Sequence, residues 1–379
     1  MGKTETADIL VVGGGIFGLA CAHACLDRGR RVTLIDAGLP GGGASGGPVG
    51  ALSPHLPEKW NEKKAAQVRV LAEAEAWWCR IAALAGRDPG YARVGRYIPL
   101  TSEAARARAE EQARDAERFW PAPFRWSLEP GDALPFAAPH GAVFETLSAR
   151  IDPPRAIEAL AAALAARGGT ILPNRAVHAV TEDRAETEDG PIAARAILLA
   201  PGAGAGPLAA PFLGAGPFQT VKGQAARVRP RKPLPAPLVY ADGLYVVPHA
   251  DGTVGIGATS ENGYADPLTT DAQLDTLLAR AEALLPGLAG ATVERRWAGL
   301  RPRGPRPEPM LGRLPGTGTL FLAAGAFRTG FGMAPLVGRI LASLITGGAE
   351  PIPPGFTIAE HMERFAAQRP RQPRRRETD

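Results

Sequence analysis

The segment Ile9–Gly18, which reads ILVVGGGIFG, constrains the fold of this chain more than any other feature. Its continuous β-branched and leucine run over Ile9–Val12 predicts a strand buried in a parallel sheet, and the following pattern predicts a helix from Ile16 to Arg28. Glycine is required at such a junction for three reasons: the turn is tight, the backbone comes close to a pyrophosphate, and the helix packs closely on the strand. The glycines that meet these needs are Gly13, Gly15 and Gly18.

The acidic residue Asp36 completes this pattern. A second strand is predicted over Val32–Ile35, and Asp36 follows it where a carboxylate can bind both hydroxyls of an adenosine ribose. The helix N-terminus would face the phosphates with its positive partial charge. A GxGxxG string alone is a weak signal, but its place between two strands with the acid at this distance predicts a dinucleotide-binding site.

Composition limits the class of protein. The chain has 379 residues, of which 45% are hydrophobic, enough for two domains with substantial cores. We predict a soluble, cytoplasmic protein without a membrane span, because no apolar run could cross a bilayer and Glu5 and Asp8 precede an apolar segment too short for a signal peptide. Cys21 and Cys25 lie one helical turn apart, which favours buried packing, and the six histidines lack the spacing of a zinc site, so no metal is expected.

The positive charge is concentrated at the C-terminal end. Of the formal net charge of +5, the last eleven residues supply +3. The body of the protein is therefore close to neutral, and we interpret the Pro- and Arg-rich end as a disordered, solubilising tail. Contact of this tail with RNA or anionic lipid is the alternative.

Periodic patterns divide the rest of the chain into helices and strands. Residues 41–50 form a glycine-rich loop, which we interpret as a second segment that wraps the cofactor. Residues 218–258 alternate as strands with a hairpin at Asp251-Gly252, which indicates a separate antiparallel sheet. A capping box, Thr270-x-x-Gln273, begins a helix over 271–285, and the Pro-rich segment 121–139 is expected to be coil. Further helices are predicted over 62–84, 103–118, 156–167 and 333–345, and strands over 93–100, 142–147, 196–200 and 320–323.

Four motifs occur in order along the chain: GGGIFG with Asp36, YVVP from Tyr245, WAGLRP over 297–302 and AGAFRTG over 324–330. Together they resemble the FAD-dependent D-amino acid oxidase superfamily, to which glycine oxidase and sarcosine oxidase belong, and glycine oxidase is the nearest likeness. The resemblance runs from about residue 8 to residue 348. It is far more specific than the N-terminal glycines alone.

The resemblance implies an α/β fold, in which a Rossmann-like FAD-binding domain built from discontinuous segments is joined to an α+β substrate domain with an antiparallel sheet. The basic end is excluded from it. The implied division gives 1–85, 148–216 and 295–348 to the FAD-binding domain, 86–147 and 217–294 to the substrate-binding domain, and 349–379 to a C-terminal extension that ends in the tail.

The same resemblance implies non-covalent FAD, with the isoalloxazine ring at the domain interface. The N-terminus of the last helix would face the pyrimidine ring of the flavin, where the reduced cofactor carries negative charge. The residues expected to bind the cofactor are Gly13, Gly15, Ile16, Phe17, Gly18, Asp36, Ala37, Ala44, Ser45, Val49, Gly50, Ala51, Val177, Gly325, Phe327, Arg328, Thr329, Gly330, Phe331 and Gly332.

Three residues are expected to carry catalysis. Arg301 matches the family's carboxylate-binding arginine, and a guanidinium suits bidentate pairing with a carboxylate. Tyr245 matches a tyrosine that hydrogen-bonds the same carboxylate, and Arg328 matches a second pocket residue beside the flavin. A surface or core role is the alternative for each of them. His55, after the glycine-rich loop, is interpreted as structural, and a position near the flavin is the alternative.

The resemblance implies oxidation of a small amino acid or secondary amine to an imine, with O2 as the expected electron acceptor. Gly243 stands where the glycine oxidase pattern tends to be polar, which leaves the size of the substrate open. The alternatives are an enzyme acting on the tRNA wobble uridine, suggested by residues 44–56, an amino acid dehydrogenase with a quinone or protein acceptor, and a flavin-binding sensor. The neutral body disfavours a nucleic-acid partner, and a homo-oligomer is left open.

Overall fold

The computed structural model of the protein describes residues 5–368, which form three β-sheets with helices packed against them. The helices are α1 (Ile16–Asp27), α2 (Glu62–Ala85), α3 (Glu103–Phe119), α4 (Pro153–Ala166), α5 (Ala205–Leu213), α6 (Ala272–Leu284), α7 (Gly330–Ile345) and α8 (Ile358–Gln368). The strands are β1 (Glu5–Val12), β2 (Val32–Ile35), β3 (Ala51–Leu52), β4 (Ala92–Arg93), β5 (Arg96–Pro99), β6 (Trp126–Glu129), β7 (Ala142–Glu145), β8 (Ala149–Arg150), β9 (Thr170–Leu172), β10 (Val177–Val180), β11 (Arg184–Thr187), β12 (Ile192–Leu199), β13 (Gln219–Arg229), β14 (Leu238–Ala241), β15 (Leu244–Pro248), β16 (Val254–Gly257), β17 (Thr292–Arg303), β18 (Met310–Arg313) and β19 (Leu320–Ala324).

The first sheet has the topology of a nucleotide-binding domain. Strands β9, β2, β1, β12 and β19 run parallel in that order, and β18 lies antiparallel to β19 at one edge. Along β1, Ile9 and Val11 face helices α1, α4 and α7, whereas Leu10 and Val12 face α5 on the opposite side. Burial of both faces explains the continuous apolar sequence of this strand, and the α/β prediction is confirmed.

The turn between β1 and α1 depends on its glycines. Gly13 has a φ of 111°, a conformation that L side chains rarely adopt. A Cβ atom on Gly18 would overlap the carbonyl oxygen of Gly13, so the first turn of α1 packs directly on the end of β1. Cys21 and Cys25 on the same helix are fully buried, and burial raises the pKa of Cys25 to about 12. Both thiols therefore pack as small apolar groups, as predicted.

The second sheet has the order β17-β13-β16-β15-β14-β5-β7-β6, and β14 and β5 are its parallel pair. It confirms the antiparallel sheet expected over 218–258, with the predicted hairpin joining β15 to β16. Helix α6 covers one face, where Leu274 and Leu277 are buried with Val246. Strands β3, β8 and β4 form a small third sheet.

Two sequence predictions about element ends are wrong. The N-cap of α6 is Asp271, whose side chain accepts a hydrogen bond from the Gln273 amide. The predicted cap, Thr270, instead accepts a hydrogen bond from Arg296 Nε, because the adjacent carboxylate is the stronger cap. Helix α7 begins at Gly330, about one turn earlier than predicted, so residues 330–332 belong to its first turn.

Other segments differ in kind from their prediction. Residues 126–129, expected as coil, form β6, an edge strand paired with β7, a position where flanking prolines are tolerated. Strand β17 crosses the expected domain boundary at residue 295 and pairs with β13 over 292–303, so the WAGLRP motif belongs to the second sheet. The domain division itself stays a prediction. Helices α5 and α8 were not predicted.

Two expectations concern the membrane and the tail. Within residues 5–368, no helix is both long and apolar enough to cross a bilayer. The predicted basic tail over 369–379 lies outside the described residues.

The buried His23 on α1 predicts a loss of stability in acid. It is fully buried, its Nε2 donates to the Leu160 carbonyl at 2.8 Å, and burial lowers its pKa to about 4. Above pH 6.5 the ring is neutral in both states and its contribution to stability is complete. As the pH falls toward 4, only the unfolded state binds the proton, so about 3 kcal/mol of unfolding free energy is lost. The free energy of unfolding is measured in urea between pH 7 and pH 4.5 for wild type and for His23→Gln. It should fall more steeply with pH in wild type, and an equal fall in both proteins would contradict the prediction.

Candidate functional site

A cavity of about 1030 Å³ is lined by residues of both large sheets. It lies at the carboxyl ends of β1, β2, β12 and β19, where open α/β sheets bind ligands. Of the residues predicted to bind the cofactor, Gly18 alone is absent from the lining, because it packs on β1. The predicted residues that line the cavity are Gly13, Gly15, Ile16, Phe17, Asp36, Ala37, Ala44, Ser45, Val49, Gly50, Ala51, Val177, Gly325, Phe327, Arg328, Thr329, Gly330, Phe331 and Gly332, with Arg301 and Tyr245.

One end of the cavity is built around the glycine turn. The Asp36 carboxylate accepts hydrogen bonds from the backbone amides of Gly14 at 2.6 Å and Gly38 at 2.8 Å. The Ser45 hydroxyl accepts from the Ile16 amide at 3.1 Å, which ties the glycine-rich loop to the first turn of α1. The acid and the helix N-terminus are therefore held rigidly at the same end of the cavity.

The cavity is also lined by Arg301, near the end of β17. It lies across Gly223 on β13, where a Cβ atom would overlap it. Its Nη1 donates to the Thr259 carbonyl at 3.0 Å, and within the described residues no carboxylate forms an ion pair with it. Burial, with a smaller effect of Arg328, lowers the pKa of Arg301 to about 10. The side chain therefore stays cationic at neutral pH.

A buried polar network holds the backbone that contacts Arg301. The Glu261 carboxylate accepts hydrogen bonds from the Thr259 hydroxyl and from Gln224 Nε2. Lys222 Nζ lies 3.8 Å from the same carboxylate, and Lys222, Gln224 and Glu261 are all buried. These contacts fix residues 259–261 against β13 and so set the position of the Thr259 carbonyl.

Tyr245 lines the cavity from β15 with a partner that the sequence analysis missed. Its hydroxyl accepts a hydrogen bond from Arg96 Nη1 at 3.0 Å. Arg96 is 3% exposed, also lines the cavity, and forms an ion pair with the fully buried Glu145 at 3.0 Å. The sequence contained one signal for Arg96, because this charged residue lies on the same strand face as the apolar Ile98. Its partner Tyr245 is 149 residues away in sequence, so no local pattern connects the two.

The remaining predicted positions differ in exposure. Arg328 is exposed at the cavity, with its guanidinium carbon 5.2 Å from the centroid of the Phe327 ring.

His55, interpreted as structural, also lines the cavity, and its backbone amide donates to Gln67 Oε1 at 2.8 Å. Burial lowers the pKa of His55. Gly243, where the family pattern tends to be polar, lines the cavity as well.

Comparisons with known proteins show the family of this chain. Residues 8–344 match the DAO family, described as FAD dependent oxidoreductase. The glycine oxidase of Pseudomonas putida is 32% identical over 91% of this chain and 95% of its own length. The crystal structure of glycine oxidase from Geobacillus kaustophilus has a TM-score of 0.84 at 28% identity, over 92% of this chain and 97% of that chain. The tRNA 5-methylaminomethyl-2-thiouridine biosynthesis bifunctional protein of Thiobacillus denitrificans is 33% identical over 95% of this chain and 60% of its own length.

The residues of the cavity fit FAD. An anion-binding helix N-terminus and a carboxylate held by two backbone amides suit the pyrophosphate and the ribose of a dinucleotide. The volume of about 1030 Å³ lies at the top of the usual range of roughly 300–1,000 Å³ for ligand pockets, as a dinucleotide with a small substrate requires. The three cysteines, Cys21, Cys25 and Cys79, are unpaired and do not line the cavity, and the non-covalent binding of the cofactor stays a prediction.

Replacement of Asp36 tests the nucleotide end of the cavity. We expect Asp36→Ala to weaken FAD binding roughly ten- to hundredfold, because hydrogen bonds to a charged acceptor are lost. Quenching of FAD fluorescence on reconstitution of the apoprotein measures the affinity. Asp8→Ala, which removes a surface carboxylate paired with Arg31 on the same sheet, is the control. Equal affinities of the two variants would refute the role given to Asp36.

Proposed function

Because the chain belongs to the DAO family of FAD dependent oxidoreductases, we propose that it oxidises the C–N bond of a small amino acid or secondary amine to an imine. The substrate is of the glycine, sarcosine or D-amino acid type. The α-carbon loses a hydride and the nitrogen a proton, and the two electrons reduce O2 to H2O2. Water then hydrolyses the imine to an oxoacid and an amine.

The observation that carries this proposal is the unpaired cation in the cavity. Arg301 is half-buried, and within the described part of the chain the Thr259 carbonyl accepts its one hydrogen bond. A guanidinium has five N–H donors in a planar fork, so a substrate carboxylate is the natural group to complete it. The similarity to glycine oxidases, whose substrate is a small amino acid, supports the same assignment.

The chain's own residues act mainly by positioning. Arg301 and the Tyr245 hydroxyl hold the substrate carboxylate, which fixes the α-carbon in one orientation inside the cavity. Bound FAD supplies the acceptor for the hydride. The first turn of α7, Gly330–Gly332, brings the positive end of a helix dipole to the cavity wall, where it favours nearby negative charge. Arg328 adds a second cation at the exposed side of the cavity.

A second candidate function is oxidation of a glycine-like group carried by RNA. The similarity to the tRNA biosynthesis protein favours it, although this chain spans 60% of that protein's length. On this alternative, the basic end would contribute to binding of the polyanion by counterion release. The cytoplasmic location, the electron acceptor and a homo-oligomeric state stay predictions.

Replacement of Arg301 tests the carboxylate site. We expect Arg301→Met to raise KM for the amino acid substrate roughly ten- to hundredfold, because the loss of charged hydrogen bonds weakens carboxylate binding. The flavin spectrum should be retained. The matched control is Arg295→Met, an exposed arginine on the same strand, which should leave KM unchanged. Steady-state peroxide release measures both variants, and unchanged turnover in Arg301→Met would remove the assignment.

Anaerobic reduction separates the candidate substrates. Glycine, sarcosine, larger D- and L-amino acids and a tRNA carrying the modified wobble uridine are each mixed with the yellow holoenzyme without oxygen. We expect bleaching with at least one of the small amino acids and none with tRNA, and rapid recovery of the colour in air. Bleaching by tRNA alone would favour the second candidate, and slow recovery in air would favour a dehydrogenase.

A further inference from the structure

The buried Arg96 has a fixed position at the wall of the cavity. It comes from β5, whose neighbour β14 pairs in turn with β15, which carries Tyr245. Its partner Glu145 is fully buried, and that carboxylate also accepts hydrogen bonds from the Leu147 amide at 2.8 Å and the Ser148 amide at 2.9 Å. The ion pair is therefore anchored to the backbone, which limits the movement of Arg96.

The guanidinium of Arg96 makes two further contacts at the cavity. Its Nη2 donates to the Pro54 carbonyl at 3.2 Å, and its Nη1 donates to the Tyr245 hydroxyl oxygen at 3.0 Å. Its central carbon lies 5.7 Å from the centroid of the Tyr240 ring, and the rings of Tyr240 and Tyr245 are 4.6 Å apart. Both tyrosines line the cavity, so Arg96 braces this part of its wall.

The direction of the hydrogen bond determines where the tyrosine proton points. An arginine has donors only, so the Tyr245 oxygen must accept this bond, and its own hydrogen is directed to another group. Within residues 5–368, the Tyr245 hydroxyl donates to no protein acceptor. A nearby positive charge also polarises the O–H bond and makes it a better donor. The hydroxyl hydrogen is therefore available to an anion in the cavity.

We propose that Arg96 is a positioning residue for carboxylate recognition: it holds the Tyr245 hydroxyl so that its hydrogen is donated to the substrate carboxylate. The proposal rests on the proposed function, in which Arg301 binds the same carboxylate. Two arginines then serve the same substrate carboxylate. Arg301 contacts the carboxylate directly, and Arg96 acts on it through Tyr245.

A double-mutant cycle tests the coupling of Arg96 to Tyr245. Acetate is titrated into the FAD-loaded protein by calorimetry, for wild type, Tyr245→Phe, the pair Arg96→Gln with Glu145→Gln, and the triple variant. The glutamine pair removes both buried charges together, which avoids an isolated Glu145 carboxylate. We expect acetate binding to weaken about tenfold in Tyr245→Phe, by a similar factor in the glutamine pair, and no further in the triple variant.

Two controls distinguish positioning from loss of structure. Tyr97→Phe changes a tyrosine on the same strand as Arg96 that does not line the cavity, and it should bind acetate as wild type does. With glycine, KM should rise in the glutamine pair more than kcat falls. If the glutamine pair does not fold, Arg96→Lys replaces it, because lysine keeps a positive charge beside Glu145 but cannot also donate a hydrogen bond to Tyr245. We expect Arg96→Lys to weaken acetate binding in the wild-type background and to have no effect in the Tyr245→Phe background.

The outcomes are separable from those of the proposed function. If Arg301→Met weakens acetate binding but the Arg96 variants do not, the positioning role is wrong and the carboxylate site stands. If the effects of the Tyr245 and Arg96 changes multiply in the triple variant, the two residues act independently and the inference is overturned. If wild type itself binds no acetate, the carboxylate site of the proposed function fails.

Discussion

The pairing of β13 with β17 determines the cationic end of the cavity. Its register places Arg301 opposite Val221 and lets the guanidinium lie across Gly223, where any side chain would occupy the same space. The half-buried guanidinium thereby lines a cavity that residues of the first sheet also line. A charge shielded from water is costly unless it is paired, and within residues 5–368 the Thr259 carbonyl takes only one of the five N–H donors of Arg301. This geometry supports the proposal that Arg301 binds an anionic group of the substrate.

Arg96 and Arg301 both line the cavity, but they differ in burial and in their partners. Arg96 forms an ion pair with Glu145 and also donates to the Pro54 carbonyl and the Tyr245 hydroxyl. Arg301 has no carboxylate partner within the described chain. A satisfied ion pair can hold neighbouring groups in place, whereas an unsatisfied guanidinium can bind a ligand. This difference, rather than the residue type, separates the positioning role from the binding role.

Features that depend on residues close together in the sequence were predicted best. The first strand, the glycine turn and Asp36 lie within one short stretch, so pattern and spacing were sufficient to place them. Arg96 was missed because its meaning depends on Tyr245, 149 residues away, and no periodic pattern connects them. Helix α8 had a usable signal, since Thr357 and Glu360 cap each other reciprocally, but the prolines before it obscured the helix. Arg301 and Tyr245 were identified by their resemblance to family motifs. Their contacts could not be predicted, because these depend on which residues face each other across the second sheet.

We propose that one cavity holds both FAD and the carboxylate of the substrate. A crystal structure of the yellow holoprotein soaked with acetate tests it most directly. We expect FAD along the glycine turn and Asp36, and acetate oxygens within hydrogen-bond distance of both the Arg301 guanidinium and the Tyr245 hydroxyl. Acetate bound elsewhere, or an Arg301 side chain turned out of the chamber that holds the flavin, would contradict it.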